Sequence, residues 1–253
     1  MAARERMVEL GPQDVEIDTR ANGIIYVRSP GQHAPPPRAI TALVAKWAAR
    51  TPDQVFVARR GPDGGWRTLT YAQFLARIET IGAALIARKL SAERPVAILS
   101  GNSIEHLLLA FAAMHVGVPV APISTAYSLV SSDYGKLRHI LGLLTPGLVF
   151  ADDGAAYGKA IATVLPDDVE VVTVSGEGLR SATRFEDLSA DAPAAVAAAH
   201  AAVGPDTVAK LLFTSGSTGM PKGVINTQRM ICSNIMQIAA TMPPVIKEPQ
   251  VLV

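Results

Sequence analysis

Within the ten residues TSGSTGMPKG, Thr214 to Gly223, stand four hydroxyl side chains (Thr214, Ser215, Ser217, Thr218), three glycines (Gly216, Gly219, Gly223) and Lys222. Glycine admits left-handed and tight backbone conformations, so successive N–H groups can turn toward one anion. The hydroxyls add donors, Lys222 adds a full positive charge, and Pro221 stiffens the approach to it. Such a stretch can form a preorganised cradle for polyphosphate. A Walker-type loop is excluded. That pattern needs Gly-Lys followed by Ser or Thr, whereas Pro221 precedes Lys222 and Gly223 follows it. Two readings stand on these residues alone: an ordinary Ser/Gly-rich surface turn, or a nucleotide loop of another kind set between two strands.

The elements around the loop favour a strand on each side. TVAKLLF leads into it, GVIN follows Lys222, and a helix is expected from about Gln228, with Ile231, Ile235, Ile238 and Met242 on one core-packing stripe. Upstream, a helix is expected over 40–49, and VFVARRGPDGGWRTL reads as two strands around a Gly-Pro-Asp-Gly-Gly turn. Thr70 and Gln73 have capping-box spacing and open a helix to about Arg88. A strand over 95–99 follows, and Asn102 with Glu105 starts a helix that buries Leu107, Leu108, Phe111 and Met114 and stops at Gly117. VPVAPI, GLVFA and EVVTV are further strands, with a helix over 132–144 between the first two. The alanine-rich stretch 187–206 fits either a surface helix or a loose connection. Residues 1–30 alternate loosely, and Gly31 to Arg38 reads as a proline-stiffened linker. Short apolar strands alternating with amphipathic helices predict an α/β fold with a parallel sheet covered on both faces. Ligands gather beyond the carboxyl ends of such strands.

Composition narrows the function classes. The 253 residues are 49% hydrophobic and 18% charged with a formal net charge of +1, which gives no support to nucleic-acid binding. The single cysteine, Cys232, excludes an internal disulfide and a cysteine-based metal site, and reads as a small buried side chain. The histidines His33, His106, His115, His139 and His200 show no metal-ligand spacing. Tyr127 and Tyr134 are read as ordinary core or surface residues ahead of contacts to an aromatic substrate. The N-terminus lacks the apolar core of a signal peptide. The apolar run 107–123 is broken by His115, Gly117 and Pro119, which argues against a membrane span. A cytoplasmic protein with no membrane partner is expected.

LLFTSGSTGMPKGV resembles the signature of the acyl-adenylate-forming (AMP-binding) superfamily, which includes acyl-CoA synthetases, luciferases and peptide-synthetase adenylation domains. LTYAQFLARIETIGAALIARKL and RPVAILSGNSIEHLLLAFAAMHVGVPVAPIS extend the resemblance upstream, over about 68–225. Within it, APISTAYSLVSSDYGKLRHILGLLTPGLVF and KGVINTQRMICSN look most like bacterial feruloyl-CoA synthetases, though NTQR departs from the commoner THR. The resemblance implies ATP, Mg2+ and coenzyme A, and a small carboxylic acid, a hydroxycinnamate, as substrate. A carboxylate would attack the α-phosphorus of ATP, and the coenzyme A thiol would then displace AMP. It implies that Thr214, Ser215, Gly216, Ser217, Thr218, Gly219 and Lys222 bind the β- and γ-phosphates, and it assigns no catalytic or metal-ligating residue within this chain.

Members of this superfamily are roughly twice as long, so the chain is expected to be the N-terminal portion of a large adenylating domain, without the C-terminal lid. On that reading residues 1–37 are an extension and linker, and 38–253 the partial domain. The expectation for the chain by itself is inactivity. The rival reading is a non-catalytic nucleotide-binding or interaction fragment, and a ligase for another aromatic or fatty acid is the alternative within the superfamily.

Overall fold

The computed structural model describes residues 9–12, 14–31, 34–176, 179, 182–214 and 219–244. The chain divides into two compact units, Arg38–Gln228 and the pairing of Met1–Pro37 with Arg229–Val253.

In the smaller unit, β1 (Glu16–Thr19) and β2 (Ile25–Arg28) form an antiparallel hairpin that the loose alternation of residues 1–30 did not announce. Both strands are exposed along their whole length, so no buried face imposed a clear pattern on the sequence.

The larger unit opens with α1 (Ile40–Arg50), whose Val44 and Ala48 are buried. The strands β3 (Val55–Arg60) and β4 (Trp66–Thr70) pair antiparallel around the expected turn. Helix α2 (Tyr71–Ala87) begins at the expected capping box: the Gln73 amide donates to Thr70 Oγ1 at 3.3 Å, and the Thr70 amide to Gln73 Oε1 at 2.9 Å. Phe56 stacks on Tyr71 at 4.7 Å between ring centres and meets Phe74 edge-on at 4.8 Å, which seats the hairpin on α2.

The main sheet then builds outward from β5 (Val96–Leu99), which is wholly buried. Helix α3 (Ile104–His115) follows, capped by Ser103 and not by Asn102: Ser103 Oγ accepts from the His106 amide at 2.9 Å. Next come β6 (Val120–Pro122), a short α4 (Ala126–Leu129) and α5 (Gly135–Leu144). The expected helix over 132–144 starts three residues later because Ser131 and Asp133 bond to the chain turning ahead of it. Strand β7 (Leu148–Asp153) leads to α6 (Gly154–Val164), which starts where Asp153 Oδ1 accepts from the Ala155 and Ala156 amides. Then follow β8 (Glu170–Ser175), β9 (Thr183–Arg184) and a 3-10 turn over Phe185–Asp187. The alanine-rich stretch resolves into α7 (Pro193–Ala202), with proline in its first turn and Val196 its buried contact. The last elements among the described residues are β10 (Val208–Thr214), β11 (Lys222–Thr227) and α8 (Gln228–Thr241).

Among the described residues the main sheet has seven strands in the order β11-β10-β6-β5-β7-β8-β9, parallel except for β11, which runs antiparallel to β10. Alternation along the strands fills two cores. Val96, Ile98, Val120, Leu148, Phe150 and Val172 face α2 and α3, while Ala97, Leu99, Ala121, Val149 and Ala151 face α5 and α6. A two-sided parallel sheet of this kind needs near-continuous apolar strands, and β5 and β7 supply them. The arginine of a buried-edge ion pair ties the layers: Arg88 Nε and Nη2 donate to the two carboxylate oxygens of Glu170 at 2.7 and 3.1 Å.

Candidate functional site

Strand β10 is the part of the larger unit that carries the chain from the core to the candidate loop. Leu211 and Phe213 pack against the α5 and α6 core, while Thr214, the last strand residue, is exposed. Its parallel pairing with β6 places its carboxyl end on the same rim as the ends of β5, β6, β7 and β8. Beyond β6 the chain crosses back over β5 to β7, whereas beyond β10 it turns outward into β11. Strands whose onward connections diverge leave a crevice at their carboxyl ends, the usual ligand position in open α/β sheets.

The connection 215–221 closes on a register pair that joins two of the candidate residues directly, Thr214 opposite Lys222. Ser215, Gly216, Ser217 and Thr218 lie outside the described residues. Gly219 has φ +96 with open space around its missing Cβ, so a side chain there would meet backbone strain and no steric wall. Gly223 differs: its conformation is ordinary, and an added Cβ would meet the Phe213 ring at 3.4 Å, a normal contact. Only one of these two described glycines is therefore demanded by the backbone. Pro221 is buried, and Lys222 beside it is exposed, with no ion pair engaging it among the described residues. Lys222 is thus exposed at the neck of the hairpin, in register with Thr214 on the facing strand.

One contact to the loop was not legible in the sequence. His139 on α5 approaches the Pro221 carbonyl with Nε2 at 3.1 Å, across a separation of 82 residues. Nothing in the local pattern around either residue signals the pairing.

His33 lies outside the described residues, whereas His115 and His200, far apart in sequence, come together. His115 and His200 stack at 3.9 Å between ring centres, and His200 Nδ1 lies 3.1 Å from the His115 carbonyl oxygen. Burial, then the neighbouring His200 and Arg38, push the His115 imidazole down to about 4, so it is neutral near pH 7. Arg38 donates to the carbonyls of His200 and Val203, closing the end of α7. This pair borders a cleft of about 590 Å3 to which Ala45 of α1, Ala76 and Ala83 of α2 and Ala197 and Ala201 of α7 contribute, and in which no described residue of the candidate loop takes part. Tyr134 is buried, and Lys136 lies 5.4 Å over the Tyr127 ring, so both tyrosines have structural surroundings. Burial raises the Cys232 thiol, as its expected inert role requires. Among the described residues no group of three His, Cys, Asp or Glu side chains is placed to hold a metal, and no helix is long and apolar enough to cross a membrane.

The sequence pattern of the AMP-binding enzyme family matches residues 44–252. The chain is 29% identical over 212 residues to the long-chain-fatty-acid–CoA ligase FadD15 of Mycobacterium bovis, covering 83% of this chain and 34% of the relative. It is 29% identical over 194 residues to a 4-chlorobenzoate–CoA ligase of an Arthrobacter species, covering 77% of this chain and 34% of the relative. The chain thus spans about a third of the length of these curated relatives. In three dimensions it is similar to a natural red-emitting luciferase from Phrixothrix hirtus, with a TM-score of 0.63 and 19% identity, over 84% of this chain and 40% of that one. That likeness concerns the fold.

Proposed function

Since this chain belongs to the AMP-binding enzyme family, we propose that it supplies the ATP-phosphate-binding part of an AMP-forming acid–CoA ligase. The observation that carries this reading is the hairpin loop at the carboxyl rim of the sheet. Gly219 there is left-handed, and Thr214 and Lys222 face each other across its neck. In the proposed reaction a substrate carboxylate oxygen attacks the α-phosphorus of ATP. The bond to the bridging oxygen breaks, and pyrophosphate departs with its electron pair. The thiolate of coenzyme A then attacks the acyl carbon and expels AMP.

The residues of this chain act on the leaving group. Lys222 would neutralise charge on the β- and γ-phosphates, and Thr214 would donate a hydroxyl hydrogen bond. The loop 215–218 would supply backbone amides and further hydroxyls, and Gly219 lets the chain turn around them. Their effect is to align the phosphates in line with the attacking carboxylate and to stabilise pyrophosphate as its charge grows. Mg2+ bound with the ATP phosphates would supply further charge neutralisation there.

For the acid we propose a hydroxycinnamate such as ferulate, on the resemblance of residues 121–150 and 222–234 to feruloyl-CoA synthetases. The similarity to a 4-chlorobenzoate–CoA ligase favours an aromatic acid, while that to FadD15 favours a long-chain fatty acid, which is the competing reading. The two separate in one assay. ATP–pyrophosphate exchange by the complete gene product should be fastest with ferulate or p-coumarate. Preference for a fatty acid would overturn the hydroxycinnamate assignment and leave the ligase reading intact; exchange with no acid tested would count against the ligase.

A further inference from the structure

We propose that His139 is a positioning residue for the phosphate loop, holding the Pro221 carbonyl so that the peptide leading into Lys222 keeps one orientation. The inference rests on the reading of that loop as the ATP-phosphate site. Because the partner atom is a carbonyl oxygen, the imidazole must donate, which assigns the hydrogen to Nε2 at the 3.1 Å contact. Proline has no amide hydrogen, so the carbonyl is the backbone group through which Pro221 can be held. The peptide plane joining Pro221 to Lys222 is rigid. Fixing its oxygen therefore fixes the direction of the Lys222 amide and the point from which the Lys222 side chain departs.

The tether has a firm anchor. Leu137, Ile140, Leu141 and Leu144 bury the opposite side of α5 in the sheet core. Its start is set by the Tyr134 amide donating to Ser131 Oγ at 3.2 Å and the Gly135 amide donating to Asp133 Oδ1 at 3.1 Å. Tyr134 and Thr145 bracket the helix with φ 53 and 44, left-handed values that require the surrounding packing to hold them. The loop, by contrast, passes through Gly219, the residue type with the greatest conformational freedom. Among its described residues, Gly219 to Pro221, the His139 bond is the hydrogen bond that reaches outside the β10–β11 hairpin. A cradle that stabilises a leaving pyrophosphate works through donors fixed in advance, and α5 supplies that fixity through one imidazole.

The test compares side chains that reach the same point with those that do not. The amide nitrogen of glutamine can stand where Nε2 stands; that of asparagine falls about one bond short, and leucine has no donor. In ATP–pyrophosphate exchange by the complete gene product, His139→Leu and His139→Asn should raise the KM for ATP about three- to tenfold, the worth of one neutral hydrogen bond. The KM for the carboxylic acid should stay near the wild-type value, and His139→Gln should restore the ATP KM. An unchanged ATP KM in the leucine and asparagine variants would overturn the positioning role, as would a glutamine variant no better than asparagine. If the leucine variant does not fold, the comparison of glutamine with asparagine decides alone. Absence of exchange in the wild type with every acid would instead overturn the reading of the loop, and this inference with it.

Discussion

His115 sits against His200 with its Nδ1 buried and without a hydrogen-bond partner, an arrangement that disfavours a charged ring. Its folded pKa lies at about 4, below the ordinary 6.5, so the unfolded chain binds more protons between those values. Stability contributed by the neutral ring is present above about pH 6.5 and is lost as the pH falls toward 4. A gap of this size corresponds to on the order of 3 kcal/mol. Burial lowers His200 as well, so it works in the same direction. Urea denaturation at pH 7.5 and 4.5 should show a smaller drop for His115→Phe, which keeps a stacking ring without the titration. An equal drop in wild type and variant would contradict this account. The sequence placed these two histidines 85 residues apart and gave no hint of their contact. Local patterns report what a residue's own element buries, and neither this pair nor His139 with Pro221 shares an element. By contrast, the Gly219 turn was legible because glycine enrichment beside hydroxyls and a lysine has a local cause.

At the scale of elements, legibility followed how much each one states in its own residues. The capping box at Thr70 and Gln73 was readable because both partners lie within one turn, and the structure contains both bonds. Thr70→Ala should cost about 1 kcal/mol, measured as a shift in the urea midpoint without a change in slope. A variant as stable as wild type would show the cap to be redundant. The start of α3 was misassigned by one residue, since Asn102 and Ser103 are both good caps and only the bond to the His106 amide separates them. Helix α6 went unread between two clear strands because its alanines and glycines carry little apolar contrast. The opposite error concerns α8. Its stripe was expected to be core, yet Ile238 is 44% and Met242 48% exposed and Ile231 and Ile235 are only half-buried, while Gln228 and Cys232 are the buried positions. The strands β1 and β2 of the same unit are exposed throughout, their apolar Ile17, Ile25 and Val27 included, so periodicity alone overstated the burial in this unit.

For the whole molecule, the alternation of apolar strands and amphipathic helices was enough to predict the two-sided sheet, and its seven-strand order is consistent with that rule. It did not predict that β11 turns back antiparallel, since strand direction depends on the length and closure of the connection rather than on strand composition. That reversal forms the neck on which Thr214 and Lys222 pair, the part of the hairpin on which the proposed function rests. Lys222 carries more of the proposed function than any other residue: it is the one full charge among the candidate loop residues and is exposed at the rim of the sheet. The most direct measurement is therefore ATP–pyrophosphate exchange by the complete gene product carrying Lys222→Ala, against wild type at matched folding. Loss of a charge-assisted contact to phosphate should lower exchange efficiency in ATP about 10- to 100-fold; exchange at the wild-type rate and the wild-type KM for ATP would contradict the assignment of this loop.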